Sequence, residues 1–560
     1  MKIALFSAAL VLATLAQGAY FPLWQALLAL FFLGCAALSR QKPGFDLNSL
    51  LLLLLFCVMA ASSFFSLSAG AASAELVKYS LFPLSYAFFA GLSQEEKGRA
   101  GEAFYFAFFL LMVFGLLGMA GLSPFGGMVT ELGGRLQSFL GYANTSALLM
   151  GTGVFCATEK LLASRGRARA LHAAACALFF AAMVFTLSRA SLVLFVCVYA
   201  MYASNRFFSA RGPGRRGLAA AGAGALLVLA VLALADSRVL RISVFAPTLV
   251  ERYISYWDAL PMLLRTPFGA GLGNWQFLQF SYQSAPYTVR YIHNFYLQAA
   301  LDGGLAALGI VMFYAAGFGK KFFRAKGRRD AHFYIGAFLL SSAFFEVHFN
   351  FGLVIVYSMY LLARLCDGRP YGFGALRDFE SRLPRAAVRL VAVALALPVA
   401  AAAVSESFAG RGRRQEAAGD WQAARASFSA ARTLNPLNDD LLFELARTAP
   451  SSQDAFGYLQ SALEANPRNT EALFSIADGL LHFGEHELAL EYALRLVEIF
   501  PLSQRNHELL RRVIDGFGEP RRGELRREAE LRVDGINGRI NPLFRHIDEG
   551  FRIELEPPLG

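Results

Sequence analysis

Arg290 and His293 stand three positions apart in RYIHNFYLQAALDGGLAALG (residues 290–309), where a polar loop gives way to apolar helix. A guanidinium is a permanent cation that grips anions through paired N–H donors, and an imidazole takes or gives a proton near neutral pH. Isolated arginines recur in similar settings: Arg135 in RLQSFLGYAN, Arg189 in TLSRAS, Arg252 in ERYISYW. His293 begins a helix, where the positive end of the dipole disfavours the imidazolium, and the charge of Arg290 acts the same way. The ring is therefore expected to be neutral and able to accept a proton. Asn294 follows at a position suited to capping the helix. Gly303, Gly304 and Gly309 predict a small-residue face for close packing. Glu346 and His348, in FFEVHFNFG, flank another turn, where they serve either the same site or helix capping.

The elements that position these residues are apolar blocks of bilayer-spanning length. The chain of 560 residues is 56% hydrophobic, and such blocks lie near 3–18, 20–38, 49–68, 79–94, 103–121, 143–162, 169–186, 190–204, 217–235, 294–316, 331–347, 350–365 and 386–405. The reading is a polytopic membrane protein of about thirteen spans. The formal charge of +11 reflects Lys and Arg clustered in alternate short loops, such as EEKGRAG, EKLLASRGRARA and KKFFRAKGRR, which sets those loops in the cytoplasm and excludes nucleic acid as a partner. Arg135, Arg189, Arg252, Arg265 and Arg290 then face outside, against the charge bias. The first block also has the form of a secretory signal, with cleavage near Ala19 as the alternative to retention. Cys35, Cys57, Cys156, Cys176, Cys197 and Cys366 have no paired spacing and predict neither disulfides nor a metal site.

One external loop, 236–293, is far longer than the others and too aromatic for disorder; it is expected to form short amphipathic helices on the outer face, with Trp257 and Trp275 as interfacial anchors. After the membrane part (1–405) the composition turns polar. Segments ending at Pro436, Pro467 and Pro501 repeat at close to the 34-residue tetratricopeptide period, with Gly419, Ala424, Phe428 and Ala431 at its small and aromatic positions. Residues 406–520 are thus read as a short α-solenoid outside the cytoplasm, and 521–560 as a charged helix and tail. The fold class is all-α.

Four segments, RLQSFLGYAN, TLSRAS, TPFGAGLGNW and HNFYLQAALDGG, resemble in that order the Arg-Gly-Asn segment, the Ser-Arg span junction, the Pro-Gly-x-Gly loop and the His-Asn-x-x-Leu helix start of the O-antigen ligase superfamily. That superfamily comprises O-antigen ligases, O-antigen polymerases and bacterial O-oligosaccharyltransferases. The resemblance covers roughly residues 50–365. It implies a GT-C-like membrane fold in the bacterial inner membrane and glycan transfer, on the periplasmic side, from an undecaprenyl-diphosphate-linked donor to a hydroxyl of a glycolipid, a glycan or a protein.

In that setting His293 is the implied general base, and Arg189 and Arg252 the groups that stabilise the departing diphosphate without a metal or other cofactor. Arg290, Arg135, Asn294, Asn144 and Gly271 are the implied substrate-binding residues. GAGLGN resembles a nucleotide-binding glycine motif, but no strand precedes it, and a close-packing turn is the better reading. The repeats would dock an acceptor or an envelope protein, or serve as scaffold. Two rival classes are a lipid-linked glycan transporter, which needs charges along a path through spans that carry few, and an envelope scaffold, which needs far fewer spans.

Overall fold

The computed structural model describes residues 2–39, 46–131, 133–208, 246–324, 330–365, 384–548 and 550–555; apart from one isolated antiparallel bridge, Val129 to Leu136, their regular structure is helical. The block expected near 217–235, the first residues of the long loop (236–245) and Cys366 lie outside the described residues. The bundle comprises α1 (Lys2–Leu15), α2 (Pro22–Leu38), α3 (Leu47–Ser62), α4 (Ala69–Ala90), α5 (Gln94–Met119), α6 (Ala143–Ala163), α7 (Gly166–Phe185) and α8 (Arg189–Ala203). After the long loop, with α9 (Pro247–Arg265) and α10 (Trp275–Tyr282), come α11 (Phe295–Arg324), α12 (Ala331–Ser342), α13 (Gly352–Leu365) and α14 (Arg385–Ala417). Among the described residues six helices (α3, α5, α6, α7, α11 and α14) are long and apolar enough to cross a membrane, and α1, α2, α12 and α13 are shorter apolar helices. The protein is a polytopic membrane protein.

Capping chemistry moves several boundaries. Helix α4 starts ten residues before the expected apolar block, because the Ser68 side chain accepts from Ala71 N and lets the polar turn GAASAELVK join the helix. Ser93 and Glu96 form a reciprocal capping box that starts α5 at Gln94. Helix α11 is broken at Gly304 (φ 70°, ψ −166°), and the 267–269 loop docks into the break: Leu305 N donates to Pro267 O (2.8 Å), and a Cβ on Gly304 would collide with that carbonyl and with the Phe268 backbone. The expected small-residue face is thus divided. Gly303 packs against Met59 of α3, Gly304 is a hinge, and Gly309 has nothing near enough to touch an added Cβ.

The long loop is a folded layer. On α9 the side chains of Tyr253, Trp257 (66% exposed), Leu260 and Leu264 form an exposed stripe at helical spacing, as an interfacial helix requires. Its opposite face buries Val250, Ile254, Ala259 and Met262 against Trp275, Tyr287 and Ile292. Trp275, expected as an interfacial anchor, is 1% exposed and belongs to this core.

Helix α14 runs without interruption from the bundle into the C-terminal region, crossing the boundary expected at 405, and Ala409 packs with Ala424 and Phe428 of the next helix. There follow α15 (Trp421–Leu434), α16 (Asp440–Arg447), α17 (Ser452–Ala465), α18 (Thr470–His482), α19 (His486–Ile499), α20 (Gln504–Asp515) and α21 (Arg521–Asn537). A repeat register is visible in the ion pairs Glu471 to Arg505 (3.4 Å), Asp478 to Arg512 (2.9 Å) and Glu487 to Arg521 (2.8 Å), each joining residues 34 apart. This helical region rests on the long loop and the start of α4: Phe280 stacks on Phe500 at 3.9 Å, Arg468 donates to Ser281 Oγ (2.5 Å), and Ser68 Oγ donates to Asp439 (2.5 Å).

Candidate active site

The junctions at one end of the bundle converge on Glu346, which sits between α12 and α13 and is 2% exposed. An ionised carboxylate is tolerated at such burial only when its oxygens are paired. Oε1 accepts from Arg252 Nη2 (2.6 Å) and from Asn144 Nδ2 (2.6 Å), and Oε2 accepts from Tyr142 OH (2.7 Å). His293 Nδ1 lies 3.6 Å from Oε2, has no hydrogen-bond partner and is buried, although the side chain as a whole is 23% exposed. Burial pushes the Glu346 carboxyl up, but the His293 ring and the Arg252 charge outweigh it and bring the group down to about 2.

Each contributor has a local cause. Asn144, in the first turn of α6, bridges to Arg135, whose Nη2 donates to Asn144 Oδ1 (2.7 Å) while its Nε donates to Thr186 O (2.9 Å). That carbonyl belongs to the α7–α8 junction, where Leu187 adopts φ 52° and Arg189 heads α8. The Arg189 charge reaches Arg135, as does that of Arg252. Arg252 lies one turn into α9. His293 is fixed through its backbone: Tyr256 OH donates to its carbonyl, and Phe295 N donates to Ala343 O (2.9 Å). Asn294 Oδ1 accepts from Leu297 N (3.0 Å), capping the first turn of α11.

The structure thus gathers Arg135, Asn144, Arg252 and His293 about Glu346, with Arg189, exposed, at the adjoining α7–α8 junction. Arg290 and Gly271 make other contacts. The Arg290 guanidinium faces the Tyr291 ring at 5.5 Å and is pushed above the usual arginine range by Tyr291, Glu75, Tyr20 and Asp440. Gly271 (φ 105°) is a packing position: its neighbour Asn274 binds Phe65 O (3.0 Å), Ala270 O (2.7 Å) and Leu67 N (2.8 Å), stapling the loop to the α3–α4 turn.

A buried ion pair on α4 supports the site from below. Lys78 pairs with Glu75; Glu75 Oε1 accepts from Tyr291 OH (2.6 Å), and Lys78 Nζ donates to Asn350 Oδ1 (2.8 Å). One helix therefore grips both the segment carrying His293 and the turn carrying Glu346. His348 in that turn is 0% exposed, with Nδ1 2.9 Å from Thr145 Oγ1 and Nε2 unpartnered; burial of the ring brings it down to about 4. Beside the site an apolar groove of about 390 Å³ runs between α9 and α11, lined by Tyr256, Trp257, Leu260, Asn294, Leu297 and Leu308 among others. Among the described residues no group of three or more His, Cys, Asp and Glu side chains is arranged to hold a metal ion.

Sequence reasoning left Glu346 outside the expected site set, although an acid inside an apolar stretch demands counter-charges. Tyr142 and Tyr256 carried no signal beyond their neighbours.

Residues 174–313 match the family model described as O-antigen ligase (Wzy_C). The match takes in Arg189, Arg252, Arg290, His293 and Asn294 and stops short of Arg135, Asn144 and Glu346. No curated protein matches the chain. The match, set within a multi-helix membrane fold, is consistent with an enzyme acting on a membrane-linked glycan.

Proposed function

We propose that the protein is a glycosyltransferase of the O-antigen ligase superfamily, moving a glycan from a polyprenyl-diphosphate-linked donor to an acceptor hydroxyl at the outer face of the membrane. The observation that carries this reading is the meeting of Arg252 and His293 at a single buried carboxylate, with Arg135 joined to it through Asn144 and Arg189 at the adjoining α7–α8 junction. Three guanidinium groups against one acid leave an excess of positive charge suited to a diphosphate. Arg252 commits Nη2 to Glu346, and a guanidinium has five N–H donors in all.

In the proposed step Glu346 orients His293 through Nδ1, as the carboxylate of a catalytic triad orients its imidazole, so that Nε2 is the base. The spacing of 3.6 Å is one that tightens to a hydrogen bond on substrate binding. As the acceptor oxygen bonds to the anomeric carbon, its proton passes to Nε2. The bond from that carbon to the phosphate oxygen breaks, and the diphosphate departs with the electron pair, held by the arginines. The groove between α9 and α11 suits the prenyl chain of such a donor. The C-terminal repeats, of tetratricopeptide type in this reading, touch the same loop that bears Arg252, so they share its periplasmic side.

The test is transfer from a polyprenyl-diphosphate oligosaccharide to lipid A core, glycan and protein acceptors by the purified protein, with His293→Ala in parallel. Transfer by wild type that is abolished in the variant is expected. Transfer that survives the substitution removes the mechanism, and lipid movement without transfer would favour a transporter.

A further inference from the structure

Arg252 sits on a helix, α9, that is held both by the bundle and by a segment near the end of the C-terminal region. The outer face of α9 offers Tyr253, Trp257, Leu260 and Leu264 to lipid, which supplies burial but no fixed register. Its inner face is closed in part by the far C-terminus of the chain. Phe544, 6% exposed, enters the core formed by Val250, Ile254, Met262, Trp275 and Tyr287, with Ile547 and Phe551 packed behind it. Immediately before the 542–546 turn, Asn541 clips the loop by its backbone and its side chain: its N donates to Ser284 O (2.8 Å) and its Nδ2 to Ser284 Oγ (3.3 Å).

Ser284 passes that constraint to α9. Its N and Oγ each donate to the Asp258 carboxylate at 2.8 Å, and Tyr287 OH completes the set at 2.9 Å. Asp258 lies six residues, about 9 Å along the helix axis, from Arg252. Asp258 is itself buried, so its pairing with Ser284 cannot slip without leaving a charge unsatisfied.

We propose that the C-terminal segment around Asn541 and Phe544 is a clasp on the arginine helix, that these two are positioning residues for Arg252, and that the repeat domain is thereby a working part of the transfer site. The last clause rests on the function proposed above; the clasp itself does not. The geometry also accounts for why the helical repeats end by folding back: α21 returns the chain to the loop instead of extending the solenoid.

The experiment uses the full chain in lipid nanodiscs with Phe544→Ala, Phe544→Leu and Asn541→Ala. Amide hydrogen exchange over residues 247–265 is read against residues 295–324 as an internal control. In Phe544→Ala the 247–265 amides are expected to exchange roughly tenfold faster or more while the control is unchanged, with most of the protection regained in Phe544→Leu. Transfer should lose roughly ten- to a hundredfold in kcat/KM, chiefly through a raised KM for the donor, since Arg252 is a donor ligand. Asn541→Ala, which leaves the core intact, should move both readouts in the same direction by less. Unchanged exchange in both Phe544→Ala and Asn541→Ala overturns the clasp, and faster exchange with unaltered transfer overturns the positioning role. If wild-type protein transfers nothing, the proposed function falls while the exchange readout still decides the clasp.

Discussion

Glu346→Gln tests the site most sharply, because the two side chains are the same size and differ in charge and in one donor group. The carboxylate accepts from Arg252 (2.6 Å), Asn144 (2.6 Å) and Tyr142 (2.7 Å) and faces His293 Nδ1 at 3.6 Å. A glutamine keeps one acceptor oxygen and turns an NH2 toward partners that are themselves donors. Each hydrogen bond to a charged group is worth roughly 1.5–3 kcal/mol, and a buried ion pair deprived of one partner loses roughly 3–5 kcal/mol. One acceptor is retained, so the expected loss is about 3–5 kcal/mol. Whatever part of it appears at the transition state slows transfer by about tenfold for each 1.4 kcal/mol, or roughly 10²- to 10³-fold for a 3–4 kcal/mol share.

The assays are thermal unfolding in detergent and single-turnover transfer, with Arg252→Ala and the double variant beside Glu346→Gln. Because Arg252 and Glu346 share a contact, the double variant should be little worse than the poorer single one. The sign with pH is also fixed. Glu346 is held below its unfolded value near 4.5, so its contribution is fully present above about pH 4.5 and is lost as pH falls toward 2. A Glu346→Gln protein that unfolds at the wild-type temperature and transfers within threefold of wild type would refute the hub.

His348 has its protonation held down to about 4 from 6.5, so stability should be complete above pH 6.5 and fall by about 3 kcal/mol as pH drops to 4; His348→Gln should flatten that slope in unfolding curves at pH 7 and pH 5. Lys78→Met leaves Glu75 buried without its cation and should destabilise by roughly 3–5 kcal/mol, whereas Glu75→Gln combined with Lys78→Met should recover much of that loss, as thermal melts will register. Gly304→Ala forces a side chain onto φ 70° and into the Pro267 carbonyl, so a loss of at least about 1–3 kcal/mol is expected, checked by the melting temperature and by exchange of the Leu305 amide.

The amino-acid sequence by itself determined the apolar blocks, the isolated arginines between them and the 34-residue repeat, because each is a periodicity or composition signal that local chemistry imposes. It also placed His293 at a helix start. Several contacts needed the tertiary structure. Glu346 lies more than 200 positions from Tyr142 and Asn144, and no local pattern foretells a hydrogen bond across that separation. Arg290 and Arg252 look alike in sequence, yet one meets Tyr291 and the Glu75 region while the other meets Glu346, since the loop's fold decides which way each guanidinium turns. Trp257 and Trp275 divide in the same way, one exposed and one in the core. The clasp of Phe544 on α9 joins the chain's tail to its longest loop, a long-range packing choice that only the assembled core makes.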